Sequence, residues 1–165
     1  MAYFAAVSND TQHRLAGVLE DADFTDEYLT RCRSDVRGNW DALRGALLEA
    51  DIPFVEPRAG LFAVVDLRSM LPLEKEEEEE EAGGDAVLGL LPPSAYRGER
   101  MLQDRIFEDC KVVLTPGEAM HAPVPGLFRA CFAWMPPASL QAAVRRIAAL
   151  RLVIQAEKEA GTWAL

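Results

Sequence analysis

Leu127-Phe128-Arg129-Ala130-Cys131-Phe132-Ala133-Trp134 is a run of aromatic and small apolar residues, preceded by Pro125-Gly126 and followed by Pro136-Pro137 after one methionine. That composition between chain breakers predicts a strand. Side chains alternate across a strand, so Leu127, Arg129, Cys131 and Ala133 share one side, and Phe128, Ala130, Phe132 and Trp134 the other. Arg129 therefore stands in an otherwise apolar row. A guanidinium does not shed its proton, so partial burial calls for an anion, and its planar fork suits a carboxylate held by two parallel hydrogen bonds. Two answers fit the residues: an internal carboxylate, for which Asp66 and Asp104 are candidates, or the carboxylate of a ligand.

Working outward, Leu61-Phe62-Ala63-Val64-Val65-Asp66-Leu67 predicts a second buried strand, and Ile52-Pro53-Phe54-Val55, across a turn at Pro57 to Gly60, its hairpin partner. Lys111 to Thr115 predicts a further strand closed by Pro116-Gly117. Between and around these lie helical patterns. Ser8 to Leu19 starts with capping residues and carries Leu15, Val18 and Leu19 on one face. Thr25 with Asp26 and Glu27 marks the start of a long helix whose stripe, Leu29, Cys32, Val36, Trp40, Leu43 and Leu47, ends near Ala50. Tyr96 to Asp109 predicts a helix with Met101, Leu102, Ile106 and Phe107 inward. Pro136-Pro137 opens a last one with Leu140, Val144, Ile147 and Ile154 near one face. The expected class is α+β, a two-layer sandwich with a small, mostly antiparallel sheet covered by helices.

A length of 165 residues suits one ordinary core, and 50% hydrophobic with 27% charged residues is a globular composition. The net charge of −10 opposes binding to nucleic acid or to an anionic membrane surface, and no segregated basic patch offsets it. Glu74 and Glu76 to Glu81, set against Lys75, supply most of that excess. With Gly83-Gly84 and Pro92-Pro93 they predict a solvated, mobile insertion over 69–93. Cys32, Cys110 and Cys131 form no metal-ligand spacing and read as reduced thiols in a reducing, cytoplasmic compartment. No apolar run is long enough to span a bilayer, and the start lacks the basic region of an export signal.

Other site candidates carry less chemistry. His121 lies in a Pro/Gly loop before the Arg129 strand and could exchange protons, yet no nucleophile stands at a recognisable spacing from it. His13 falls on a helix as a surface or packing residue. No phosphate loop, zinc motif or nucleic-acid module is found.

Read in order, Val7 to Ala16, Phe24 to Leu29, Ala59 to Arg68, Val113 to His121 and Pro125 to Ala133 together resemble the C-terminal third of pyridoxal-phosphate-dependent class I/II aminotransferases. The nearest subgroup is the aminocyclopropane-carboxylate synthases and their synthase-like relatives. The family's Pro-Gly-Trp-Phe-Arg segment holds the arginine that clamps the α-carboxylate of the amino-acid substrate. Here it reads Pro125-Gly126-Leu127-Phe128-Arg129, so the resemblance gives Arg129 that substrate-binding role, with leucine in place of tryptophan.

The resemblance also implies a division of the chain. Residues 1–22 would be a remnant helix of a preceding large domain, 23–50 a long connecting helix, and 51–165 the small domain carrying the acidic insertion. The cofactor lysine of the family lies in that large domain, and Lys75, Lys111 and Lys158 do not match its motif. The chain is thus expected to be a partial aminotransferase or synthase-like protein that binds no pyridoxal phosphate alone and has no catalytic residue of its own. Its Met1 to Leu19 region would expose an apolar side. The alternative is a non-catalytic regulatory domain that senses an amino or keto acid or pairs with a full-length relative. Homodimers typical of the family make that pairing conceivable.

Overall fold

The computed structural model describes residues 7–73 and 91–165. Contacts divide the chain into two compact units, residues 1–37 and 38–165. In the first unit lie α1 (Asn9–Glu20) and the opening turns of α2 (Ala22–Glu49). The Ser8 side chain accepts a hydrogen bond from the Thr11 N–H, the expected cap. The second helix begins earlier than Thr25. Asp21 caps it by accepting the Phe24 N–H at 3.0 Å, and the Thr25 hydroxyl turns back to the Val18 carbonyl. Thr25 is already inside the helix, and its hydroxyl reaches across to a carbonyl of α1 rather than capping α2. Nothing in α1 is buried, and Leu15, Val18, Leu19, Phe24, Tyr28 and Leu29 are exposed.

The second unit is built on an antiparallel sheet of β1 (Phe54–Val55), β2 (Phe62–Asp66) and β3 (Leu127–Cys131), in that order. In β2 and β3 the pairs Ala63↔Ala130 and Val65↔Phe128 are buried, whereas Phe62↔Cys131, Val64↔Arg129 and Asp66↔Leu127 line the open face. Helices cover the buried face. Leu43 and Leu47 of α2, Val65 and Ala130 of the sheet, and Val144 and Ile147 of α4 (Pro137–Glu159) wall one apolar cavity of about 520 Å³. Trp40 packs on Phe54 and Phe132 with ring centroids 5.6 and 5.4 Å away. This is the α+β, two-layer arrangement expected.

Three further local expectations fail. Lys111 to Thr115 does not form a strand. Helix α3 (Arg97–Arg105) widens into a π turn over Ile106–Cys110, Lys111 then takes a left-handed backbone with φ 54°, and only Thr115 reaches β3. Pro116 has no N–H with which to extend that ladder. The wider π turn faces Ile106 and Cys110 inward and leaves Phe107 55% exposed. At the other end β3 stops at Cys131, short of the expected end at Trp134, which is 87% exposed.

The flanks of the expected insertion are packed. Met70 is fully buried, and Leu73 bridges Ala164 in parallel. The indole N–H of Trp163 donates to the Met70 carbonyl at 2.9 Å. The glutamate run itself lies outside the described residues. Arg151 of α4 donates to the carbonyls of Ala50 and Asp51, satisfying the C-terminal end of α2.

Candidate functional site

Arg129 sits mid-strand on the open face of β3, opposite Val64 and diagonal to Phe62. Its guanidinium carbon stands 4.4 Å from the centroid of the Phe62 ring, close enough for a cation–π contact. Nη2 donates to the Thr115 hydroxyl at 3.3 Å. Thr115 is fixed in turn, because it and Arg129 exchange both backbone hydrogen bonds, at 3.0 and 2.8 Å. Among the described residues no carboxylate lies within ion-pair distance of Arg129, and its buried Nε has no hydrogen-bond partner. A buried donor left unmet costs on the order of 1–3 kcal/mol, and the described residues offer this one no acceptor.

Neither expected internal partner answers it. Asp66 shares the open face, but Arg68 has taken its carboxylate with Nε at 2.9 and 3.0 Å and Nη2 at 2.6 Å. That pairing, chiefly its side-chain hydrogen bonds, holds the Asp66 carboxyl below its ordinary range. Asp104 is exposed on α3.

The loop leading into β3 is anchored from α3. Glu99, wholly buried, accepts the Glu118 N–H at 2.8 Å and the Gly126 N–H at 2.6 Å. Next to it Arg100 grips the Glu118 carboxylate with Nε and Nη2, both at 2.8 Å, and so lowers its pKa. A side chain at Gly117 would stand 2.8 Å from both Glu99 Oε2 and the Leu127 carbonyl. Gly126 has φ +90° and an added Cβ would meet Arg68 Cγ at 2.9 Å. Glycine is required at both positions. The sequence reading passed over Glu99, although it falls on the same buried helical stripe as Tyr96, Leu102 and Ile106.

The remaining candidates stay apart. His121 is exposed at the end of a short 3-10 turn, Glu118–Met120, and His13 is exposed on α1. Cys110 is buried, which raises its thiol pKa, and all three cysteines are free. No cluster of His, Cys, Asp or Glu suited to a metal occurs among the described residues, and no described helix is long and apolar enough to cross a membrane.

The family model for aminotransferase class I and II matches residues 1–147. The chain belongs to that family. Its members depend on pyridoxal phosphate. Among curated relatives, 1-aminocyclopropane-1-carboxylate synthase 4 of Oryza sativa subsp. japonica is 36% identical over 147 residues, 89% of this chain and 27% of the rice protein. Synthase 11 of Arabidopsis thaliana is 32% identical over the same share of this chain and 28% of its own length. The chain thus spans little more than a quarter of the relatives it matches. The fold is shared with an aromatic aminotransferase from Pyrococcus horikoshii OT3, with a TM-score of 0.61 and 16% identity over 85% of this chain and 30% of that one. A multiple substrate aminotransferase from Thermococcus profundus gives 0.57 and 19%, over 85% and 29%.

Of the two described lysines, Lys158 donates Nζ to the Ser69 carbonyl at 2.8 Å, and Lys111 is exposed where the π turn ends. Neither is joined to Arg129 by a hydrogen bond.

Proposed function

We propose that this member of the aminotransferase class I and II family binds the α-carboxylate of an amino-acid substrate through Arg129 and contributes no lysine to cofactor chemistry. The observation that supports this reading is the guanidinium itself: half-buried, stacked on Phe62, oriented by Thr115, with an unmet Nε and no ion pair to a carboxylate among the described residues. A carboxylate taking terminal N–H groups of the guanidinium would form the bidentate pair such a fork is shaped for, the Nε–H being buried. Arg129 does not line the apolar cavity between the sheet and α4, and it lies on the open sheet face. One open wall gives few contacts, so affinity for a carboxylate is weak unless another surface closes over it. In the synthase-like enzyme that closing surface is the remainder of the protein, and the substrate is an amino acid with a free carboxylate.

The test is a titration of the ¹⁵N-labelled chain with acetate, following the Arg129 Nε–Hε resonance. We expect a shift confined to Arg129, Thr115 and Phe62 with a dissociation constant of about 1 mM or weaker, and its loss in Arg129→Gln. Shifts scattered over the surface that persist in the variant would overturn the assignment. Calorimetric binding of an amino or keto acid in the micromolar range would instead identify a standalone sensor.

A further inference from the structure

We infer that Glu99 is a positioning residue for the Arg129 carboxylate site, fixing the aim of the guanidinium through the loop between Thr115 and Arg129. The inference rests on the reading of Arg129 given above. A carboxylate removed from water is costly unless its oxygens are met, and among the described residues Glu99 is the one charged side chain wholly buried. No cation meets it. Its partners are backbone N–H groups alone, Glu118 on Oε1 and Gly126 on Oε2.

Those two amides stand at the two ends of one loop. The chain leaves Thr115, passes Pro116 and Gly117, is caught at Glu118, and is caught again at Gly126 three residues before Arg129. Each oxygen of a single rigid carboxylate holds one end, so the separation between the ends is set by the carboxylate. Gly117 is packed against Oε2, and a Cβ there would force the clamp open. Gly126 is held from its other side as well, its carbonyl accepting the Leu67 N–H at 2.9 Å. The loop closes at its base with the Thr115–Arg129 pair, and the Thr115 hydroxyl then orients Nη2. An error in the distance between 118 and 126 would therefore appear as a slip of Thr115 against Arg129, and a clamp loses most of its grip when its fork is misaimed by even a small angle.

The chemistry of the position requires two acceptors. Glutamine is isosteric but would set its NH₂ against an N–H donor, leaving one loop end unmet. Aspartate keeps the charge but is one methylene too short to reach both amides from α3. In Glu99→Gln we expect amide exchange at Thr115, Gly126 and Arg129 to rise about tenfold, while the core amides of Leu102 and Ile154 keep their protection. The Arg129 Nε–Hε resonance should move, and acetate should bind about tenfold more weakly. Glu99→Asp gives the same pattern and takes over as the test if the glutamine variant does not fold.

Separate outcomes decide the two readings. If acetate reports on Arg129 in the parent chain and binds Glu99→Gln equally well with unchanged exchange at Thr115 and Arg129, the positioning role fails. A uniform rise in exchange that includes Leu102 and Ile154 makes Glu99 an ordinary core support and also overturns it. If acetate leaves Arg129 untouched in the parent chain, the carboxylate assignment fails instead. Faster exchange confined to the Thr115–Arg129 loop would then still uphold the geometric part of the inference.

Discussion

Asp66 and Arg129 lie on the same face of adjacent strands, diagonal to one another, yet they do not pair, because Arg68 has wrapped the Asp66 carboxylate from two residues along the chain. The pairing lowers the folded pKa of Asp66, chiefly through the side-chain hydrogen bonds from Arg68. A depressed carboxylate stabilises the fold above its unfolded pKa, and that contribution is lost as pH falls through the folded value. Asp66→Asn should therefore flatten the acid limb of a stability-against-pH curve while leaving its slope near neutrality unchanged. An acid limb as steep as that of the parent chain would show that other carboxylates dominate it. Strand alternation made Arg129 legible in the sequence, since one cation in an apolar row has few explanations. The choice between an internal and an external anion was not legible. It turns on a local Asp66–Arg68 geometry that no spacing rule encodes. Glu99 escaped notice because its neighbours Arg97 and Arg100 are exposed and its stretch looks like a solvated face, although its spacing from Tyr96 and Leu102 held the clue.

Helices and strands with strong periodicity were legible, and elements that depend on partners were not. The stripe of α4, Leu140, Val144, Ile147 and Ile154, is buried as its spacing requires, with Leu150 added to it. Lys111 to Thr115 has good strand residues but lacks a neighbour along most of its length, and β propensity records packing more than backbone preference. A π turn leaves no mark in hydrophobic spacing until its effect on Phe107 is seen. The end of α2 likewise depends on a residue a hundred positions away. Its last carbonyls have no glycine cap, and Asp51 adopts φ 51° while Arg151 bonds the carbonyls of Ala50 and Asp51. Replacing Arg151 by methionine should cost about 1–3 kcal/mol by leaving those acceptors unmet, measured as a lower urea midpoint with an unchanged m-value. An unchanged midpoint would mean that water serves the helix end equally well.

For the whole molecule, the order of motifs carried more than any one of them. Five loose segments in sequence pointed to the family that the match over residues 1–147 establishes, and the α+β fold followed with it. The division at Arg37 and Gly38 falls inside α2, a place that hydrophobic periodicity does not mark because a continuous helix crosses it. The first unit keeps the exposed apolar residues expected near its start, Leu15, Val18 and Leu19. Cofactor chemistry also belongs to this scale, because it needs a lysine aimed at the cofactor, and of the two described lysines Lys158 is tied to the Ser69 carbonyl while Lys111 lies at the rim of the apolar cavity between the sheet and α4. After incubation with pyridoxal phosphate, dialysis and borohydride, mass spectrometry should find no single peptide labelled in stoichiometric amount. One lysine labelled to completion would contradict the proposed division of labour.

The loop between Gly117 and Gly126 is fastened where it is buried and bare where it is not, with Ala119, His121, Pro123 and Val124 facing outward. Mutation can change those outward residues without touching the two glycines or the carboxylate that binds the ends. A lineage could therefore alter the size, polarity or charge of that outer rim while inheriting the strand that carries Arg129 unaltered.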